Sequence, residues 1–105
     1  MKEITVKELA NMVKDNTDFQ LIDVREPYEY DIANLKGELI PLAQVEESFN
    51  KINSEKQVVV HCRSGKRSAD AIELLEKKYG FKNLYNLKGG ILAWADEIDD
   101  SLPKY

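Results

Sequence analysis

In Val58-Val59-Val60-His61-Cys62-Arg63-Ser64-Gly65-Lys66-Arg67-Ser68, a strand, a tight loop and the start of a helix follow one another within 11 residues. Three β-branched residues in a row read as a buried strand. The strand ends at Cys62, the only cysteine in the chain. Ser64 and Gly65 sit in a short loop that Arg67 closes. Ser68 then opens a helical pattern of Ala69, Ala71, Ile72, Leu74, Leu75 and Tyr79. Such a strand–loop–helix aims backbone N–H groups at one point, and Gly65 gives the backbone the freedom to curl around it. Arg63, Lys66 and Arg67 add three cations beside the thiol. A free cysteine titrates near about 8.5, and helix N-termini with basic neighbours lower this to about 3.5–7.5. Cys62 is therefore expected to be partly ionised at neutral pH, an activated nucleophile that handles anions.

The same alternation extends outward from this stretch. Upstream, Glu3-Ile4 reads as a short edge strand. Thr5 and Glu8 form a capping box for a helix carrying Val6, Leu9, Met12 and Val13 to about Asp15. Phe19 to Val24 reads as a buried strand. Pro27 suits the first turn of a short helix reaching about Ile32. Ala33 to Glu38 is a loop, Leu39-Ile40 a strand stopped by Pro41, and Val45, Phe49 and Ile52 predict a third helix over 43–51. Downstream, Gly80 is placed as a helix C-cap, Asn83 to Leu87 is the last strand, and Gly89-Gly90 is a turn before a helix marked by Ile91, Ala95 and Ile98. Strands alternating with helices predict an α/β fold: a mainly parallel five-stranded sheet with helices on both faces. Ligands of such sheets bind beyond the carboxyl ends of strands. Cys62, Asp23 and Gly89 all fall there.

Composition narrows the possibilities. The 105 residues make one domain, spanning 1–105, with room for a single core. A net charge of −4 argues against nucleic-acid binding. No apolar run approaches a membrane span and no signal peptide is visible. One cysteine excludes an internal disulfide, and one cysteine with one histidine argues against a structural zinc site. A reducing, cytoplasmic setting is the expectation.

Three segments carry a family resemblance. Cys62-Arg63-Ser64-Gly65-Lys66-Arg67-Ser68 resembles the active-site loop of rhodanese-type sulfurtransferases. Leu21-Ile22-Asp23-Val24-Arg25-Glu26-Pro27-Tyr28-Glu29-Tyr30 and Leu87-Lys88-Gly89-Gly90-Ile91-Leu92-Ala93-Trp94 match in the same order, so the resemblance covers nearly the whole chain. It implies a rhodanese-like domain in which the Cys62 thiolate takes sulfane sulfur as a persulfide. It implies no metal, no cofactor and no general base. The implied donor is thiosulfate or a cysteine-desulfurase persulfide. Many rhodaneses carry Gly-His-Ile where this chain has Ala33-Asn34-Leu35-Lys36-Gly37. The variant Ile32-Ala33-Asn34-Leu35 and the ending Leu102-Pro103-Lys104-Tyr105 are most similar to the rhodanese-like domain closing the adenylyltransferases of molybdopterin and thiamine biosynthesis. That likeness implies a ubiquitin-like sulfur-carrier protein and an adenylyltransferase as partners. The chain has no room for an adenylation domain, so it is either an excised terminal domain or a free-standing relative.

Two other function classes compete. Cysteine phosphatases share a Cys–loop–Arg cradle, but with five intervening residues; here four separate Cys62 from Arg67. The smaller loop suits a sulfur atom better than a phosphate group. A silent binding module is the third reading, weakened by the retained cysteine and charged loop.

Around the cysteine, Ser64 is expected to add a hydroxyl donor and Arg67 to contact substrate oxygens. Arg63 and Lys66 are expected to face solvent and steer anions. His61 precedes Cys62 on a strand, so its side chain is expected on the opposite face as a hydrogen-bonded structural histidine. A buried carboxylate needs partners. Asp23, with Arg25, is therefore expected to support the site, holding the cysteine loop by its N–H groups or pairing with Arg67. Glu26, Glu29 and Asp31 read as a solvated helix start and face, and Trp94 as core or pocket wall.

Overall fold

The computed structural model describes residues 1–105. Its strands are β1 (Glu3–Ile4), β2 (Gln20–Asp23), β3 (Glu38–Leu39), β4 (Val58–His61) and β5 (Leu84–Leu87), and its helices are α1 (Val6–Lys14), α2 (Pro27–Ile32), α3 (Lys66–Tyr79) and α4 (Gly90–Glu97). The strands form one sheet in the order β1-β5-β4-β2-β3, and every pair is parallel. The α/β class and five-stranded parallel sheet expected from the alternation are what the chain adopts.

The period of β4 divides the core. Val58, Val60 and Cys62 join Ile22, Val24, Ala71, Ile72, Leu75 and Leu84 in one buried cluster, which places α3 on that face. Val59 joins Ile4, Val6, Leu9 and Leu87 in the other, where Ala93 and Trp94 of α4 pack. Alternate residues of one strand thus serve two apolar layers, as a doubly covered sheet requires. Because all strands are parallel, β2, β4 and β5 end at one edge. That edge gathers Asp23, Cys62 and Gly89.

Local chemistry sets the boundaries. Thr5 and Glu8 make both bonds of the capping box on α1, and Gly80 ends α3 in the left-handed region at φ 71°. The helix expected over 43–51 does not form. The segment makes two 3-10 turns instead, Leu42–Gln44 and Phe49–Lys51. The apolar spacing is helical, but tertiary contacts override it. Val45 and Ile52 are drawn into the core, while Phe49 stacks on Tyr79 of α3 with centroids 4.1 Å apart. Helix α3 begins at Lys66, two residues before the expected start.

Candidate active site around Cys62

Cys62 leaves the end of β4 and is 1 % exposed. Its Sγ accepts the Gly65 N–H at 3.1 Å and the Ser68 N–H at 3.4 Å. The first N–H groups of a helix have no intrahelical partner, and Gly65, the N-cap of α3, has no capping side chain. The sulfur takes the place of that missing cap. Gly65 turns the chain here at φ 114°, a conformation that disfavours any residue with a Cβ. The carbonyls behind the sulfur are tied to α4: Ile91 N–H donates to Cys62 at 3.0 Å and Leu92 N–H to Arg63 at 3.1 Å. The loop is thus gripped between two helix N-termini, one facing the sulfur and one facing its backbone.

Ser64 is exposed. The hydroxyl beside the sulfur belongs instead to Ser68, whose Oγ lies 3.4 Å from Sγ. Arg63 and Lys66 are exposed as expected. Arg67 does not stand free: its two terminal nitrogens bind the Glu29 carboxylate at 2.6 and 2.9 Å.

Glu29 corrects the reading of α2 as a solvated face, for it is 2 % exposed. It also accepts the Tyr105 hydroxyl at 2.8 Å and, at 3.0 Å, the Glu26 N–H. The Arg67 guanidinium outweighs the burial and holds the Glu29 carboxyl down at about 2. The same pairing raises Arg67. A carboxylate so depressed stabilises the fold above the pKa of the unfolded side chain, near about 4.3, and loses that contribution as pH falls towards the folded value. Glu29→Gln should therefore flatten acid unfolding. Unfolding free energies from urea titration should differ by roughly 2 kcal/mol at pH 6, a difference kept small because Arg67 is part-exposed, and converge by about pH 2. Parallel curves over that range would show that the pair does not control acid stability.

Asp23 takes Arg25 as its partner. It pairs neither with Arg67 nor with the N–H groups of the cysteine loop. Both residues are fully buried. Arg25 Nε donates to both Asp23 oxygens at 2.9 and 3.1 Å, and Nη2 donates to Oδ2 at 2.7 Å. The remaining donors reach the carbonyls of Ala33 at 2.8 Å and Glu29 at 3.3 Å and the Tyr105 hydroxyl at 2.7 Å. A guanidinium carries five N–H donors in a rigid fork, and this set occupies it. Burial works against the charge, but the Asp23 carboxylate prevails and raises Arg25. His61 is buried; its Nδ1 lies 3.4 Å from the Cys62 carbonyl and its Nε2 3.8 Å from Asp23. Burial lowers its pKa, so it stands as a neutral imidazole. The hydrogen-bonded histidine expected here has one long contact, through Nδ1, and its Nε2 has no hydrogen-bond partner.

Two contributors escape a reading of the sequence. Tyr105 bridges Arg25 and Glu29, and its ring lies beneath the Arg63 guanidinium at 5.1 Å. Arg63 also donates to the Tyr105 carbonyl. The tyrosine therefore links the loop to the buried Arg25–Asp23 pair and to the part-buried Arg67–Glu29 pair. Its position in the ending Leu102-Pro103-Lys104-Tyr105 is its only signal in the sequence. Asn86 accepts the Ser68 hydroxyl at 2.6 Å and donates to the Gly65 carbonyl at 3.1 Å. It carries no local signal beyond being a polar residue inside a strand.

The family model for the rhodanese-like domain matches residues 5–97, and the chain belongs to that family. The rhodanese-like/PpiC domain-containing protein 12, chloroplastic, of Arabidopsis thaliana is 40 % identical over 100 % of this chain and 38 % of its own length. The probable adenylyltransferase/sulfurtransferase MoeZ of Mycobacterium tuberculosis is 36 % identical over 97 % of this chain and 26 % of its own length. The chain therefore spans well under half the length of these two relatives. A rhodanese-like domain protein of Staphylococcus aureus superposes with a TM-score of 0.83 at 33 % identity, covering 93 % of this chain and 95 % of that one. The domain is related to sulfurtransferase domains, and no helix is long and apolar enough to cross a membrane.

Proposed function

We propose that the domain is a sulfurtransferase that carries sulfane sulfur as a persulfide on Cys62. The observation that carries this reading is the pair of N–H donors, from Gly65 and Ser68, directed at Sγ at the start of α3. Backbone donors fixed in place stabilise anionic sulfur without reorganising. The Cys62 thiolate attacks the outer sulfur of thiosulfate. A Cys62 S–S bond forms, the thiosulfate S–S bond breaks, and sulfite leaves with the electron pair. An acceptor nucleophile then takes the terminal sulfur and returns the thiolate. Splitting the transfer in two is nucleophilic catalysis. A cysteine-desulfurase persulfide supplies sulfur by the same exchange.

Arg63 and Lys66 draw anions towards the loop. Arg67 acts from the wall: the Glu29 pair orients it, and its remaining N–H donors are free of protein partners to meet substrate oxygens. Ser64 and Gly65 shape the turn, Ser68 supplies an N–H, and the Asp23–Arg25 pair supports the loop from behind. Relatedness to MoeZ, whose name joins an adenylyltransferase to a sulfurtransferase, favours a sulfur-carrier protein as acceptor. The persulfide would attack the adenylated carrier terminus, expelling AMP and leaving an acyl disulfide that an external thiol reduces. A reducing, cytoplasm-like setting suits such a thiol.

The test is intact mass after thiosulfate treatment. The native protein should gain one sulfur atom, removable by dithiothreitol, and Cys62→Ser should fold yet gain none. Sulfur transfer to cyanide by the Ser variant would exclude Cys62 as the carrier. Efficient aryl-phosphate hydrolysis without sulfur uptake would favour the phosphatase reading instead.

A further inference from the structure

Asn86 of β5 is 5 % exposed and lies 18 residues from Ser68 in sequence, yet the two share a 2.6 Å hydrogen bond. The direction of that bond follows from the amide. Asn86 Nδ2 donates to the Gly65 carbonyl at 3.1 Å, so the amide oxygen faces Ser68. An amide oxygen only accepts. The single hydroxyl hydrogen of Ser68 is therefore committed to Asn86. What Ser68 offers to Cys62 Sγ, 3.4 Å away, is a lone pair. In this arrangement the neutral thiol donates to Ser68, Ser68 donates to Asn86, and Asn86 donates to the cysteine loop.

We propose that Asn86 is a positioning residue that sets when Cys62 ionises, acting through a two-position hydroxyl on Ser68. The inference rests on the sulfurtransferase reading for its use, though not for its test. When the thiol ionises, the S–H bond breaks, its electron pair stays on sulfur, and a solvent base takes the proton. The chain of bonds cannot carry that proton onward, because an amide oxygen is not a useful base. The Ser68 hydroxyl, freed of the S–H it accepted, turns from Asn86 to the sulfur. A hydrogen bond to an ionised partner is about twice as strong as a neutral one. The turn leaves the Asn86 oxygen buried without its donor, which opposes ionisation. Asn86 thus competes with the sulfur for the Ser68 hydrogen, and an arriving sulfur donor or acceptor meets a sulfur whose third donor is in reserve. In the persulfide, where Sγ bears no proton, the same hydroxyl is free to swing.

The sign of one effect separates this from plain scaffolding. Scaffolding predicts that removing Asn86 loosens the loop and makes the thiolate harder to form. The hydroxyl switch predicts the opposite sign. Asn86→Leu removes the competing acceptor, so Ser68 donates to sulfur in all forms.

The experiment is the pH profile of Cys62 alkylation by iodoacetamide, with circular dichroism to confirm folding. Asn86→Leu should lower the alkylation midpoint by roughly half to one pH unit, the size expected from releasing one hydrogen bond. In a Ser68→Ala background the same substitution should produce no shift. Asn86→Asp offers a stronger acceptor but gives up the Nδ2 donor to the Gly65 carbonyl, so its diagnostic is a larger rise in the midpoint with Ser68 present than in the Ser68→Ala background. It serves if the leucine variant does not fold. An unchanged or raised midpoint in Asn86→Leu, or shifts identical in both backgrounds, would overturn the proposal. Thiosulfate loading separates the two readings. If the alkylation shifts hold but no sulfur loads, the sulfurtransferase reading fails alone. If sulfur loads and the midpoints do not move, the hydroxyl switch fails alone.

Discussion

Gly90→Ala is expected to lower the unfolding free energy by about 3 kcal/mol or more and to dislodge the cysteine loop. Gly90 sits at φ 60°, and a Cβ built there would lie 2.4 Å from the Arg63 carbonyl oxygen and 2.7 Å from that of Cys62. Both contacts are with backbone, which has no rotamer to yield. Left-handed backbone costs an L-residue about 1–2 kcal/mol, and overpacking adds about 1–3. Relief would require α4 to move off the loop, breaking the Ile91 and Leu92 bonds that hold it. Gly80 is the internal control: it too has positive φ, at 71°, but its Cβ would meet nothing within 4 Å. Gly80→Ala should therefore cost only the conformational part. Urea denaturation of the two variants decides the matter. Equal costs would mean that contact between α4 and the loop is not tight.

Arg25→Met is the second large effect. The substitution keeps much of the aliphatic volume but leaves Asp23 buried without its cation. Breaking a buried pair by removing one partner costs about 3–5 kcal/mol, most of a marginal domain's stability. The loss should exceed that of removing both charges. Asp23→Asn combined with Arg25→Met keeps a side-chain oxygen for the Arg25 N–H, which Asp23 Oδ1 accepts at 3.0 Å, and should recover part of the lost stability. A single variant costing under about 1 kcal/mol, or a double variant no more stable than the single, would show that the charges are not coupled as the geometry implies.

What the sequence revealed follows from the range of the forces involved. The β4 run Val58-Val59-Val60 and the helical spacing after Ser68 report on neighbours along the chain, so the strand, loop and helix were readable. The position of Asp23, Cys62 and Gly89 at one edge followed from parallel topology. The partners of the charged groups did not. Glu29 meets Arg67 across 38 residues and Tyr105 across 76. On α2, Glu29 looks like any other acid of a solvated face. Its burial is set by a cation and a phenol that arrive from elsewhere. A buried Asp23 requires a partner, and that partner is the nearby Arg25 rather than Arg67. The misread helix over 43–51 failed for a related reason: Phe49 takes its place from Tyr79 on α3, which local spacing cannot register.

The sheet also constrains the order in which this protein can assemble. β1 pairs only with β5, through Glu3–Asn86 and Ile4–Leu87. The first strand of the domain must wait for the last before it has a neighbour. Every pairing in the sheet closes a long loop, and such loops are entropically costly before their contacts form. Folding on the millisecond-to-second scale of non-local topologies follows. So does a nascent chain whose central strands can meet while the N-terminal one remains unpaired. The grip of α4 on the carbonyls of Cys62 and Arg63 belongs to the same late stage. The sulfur cradle is therefore completed only once the C-terminal quarter of the domain has been made, so a stalled or prematurely ended chain would carry an unsupported thiol.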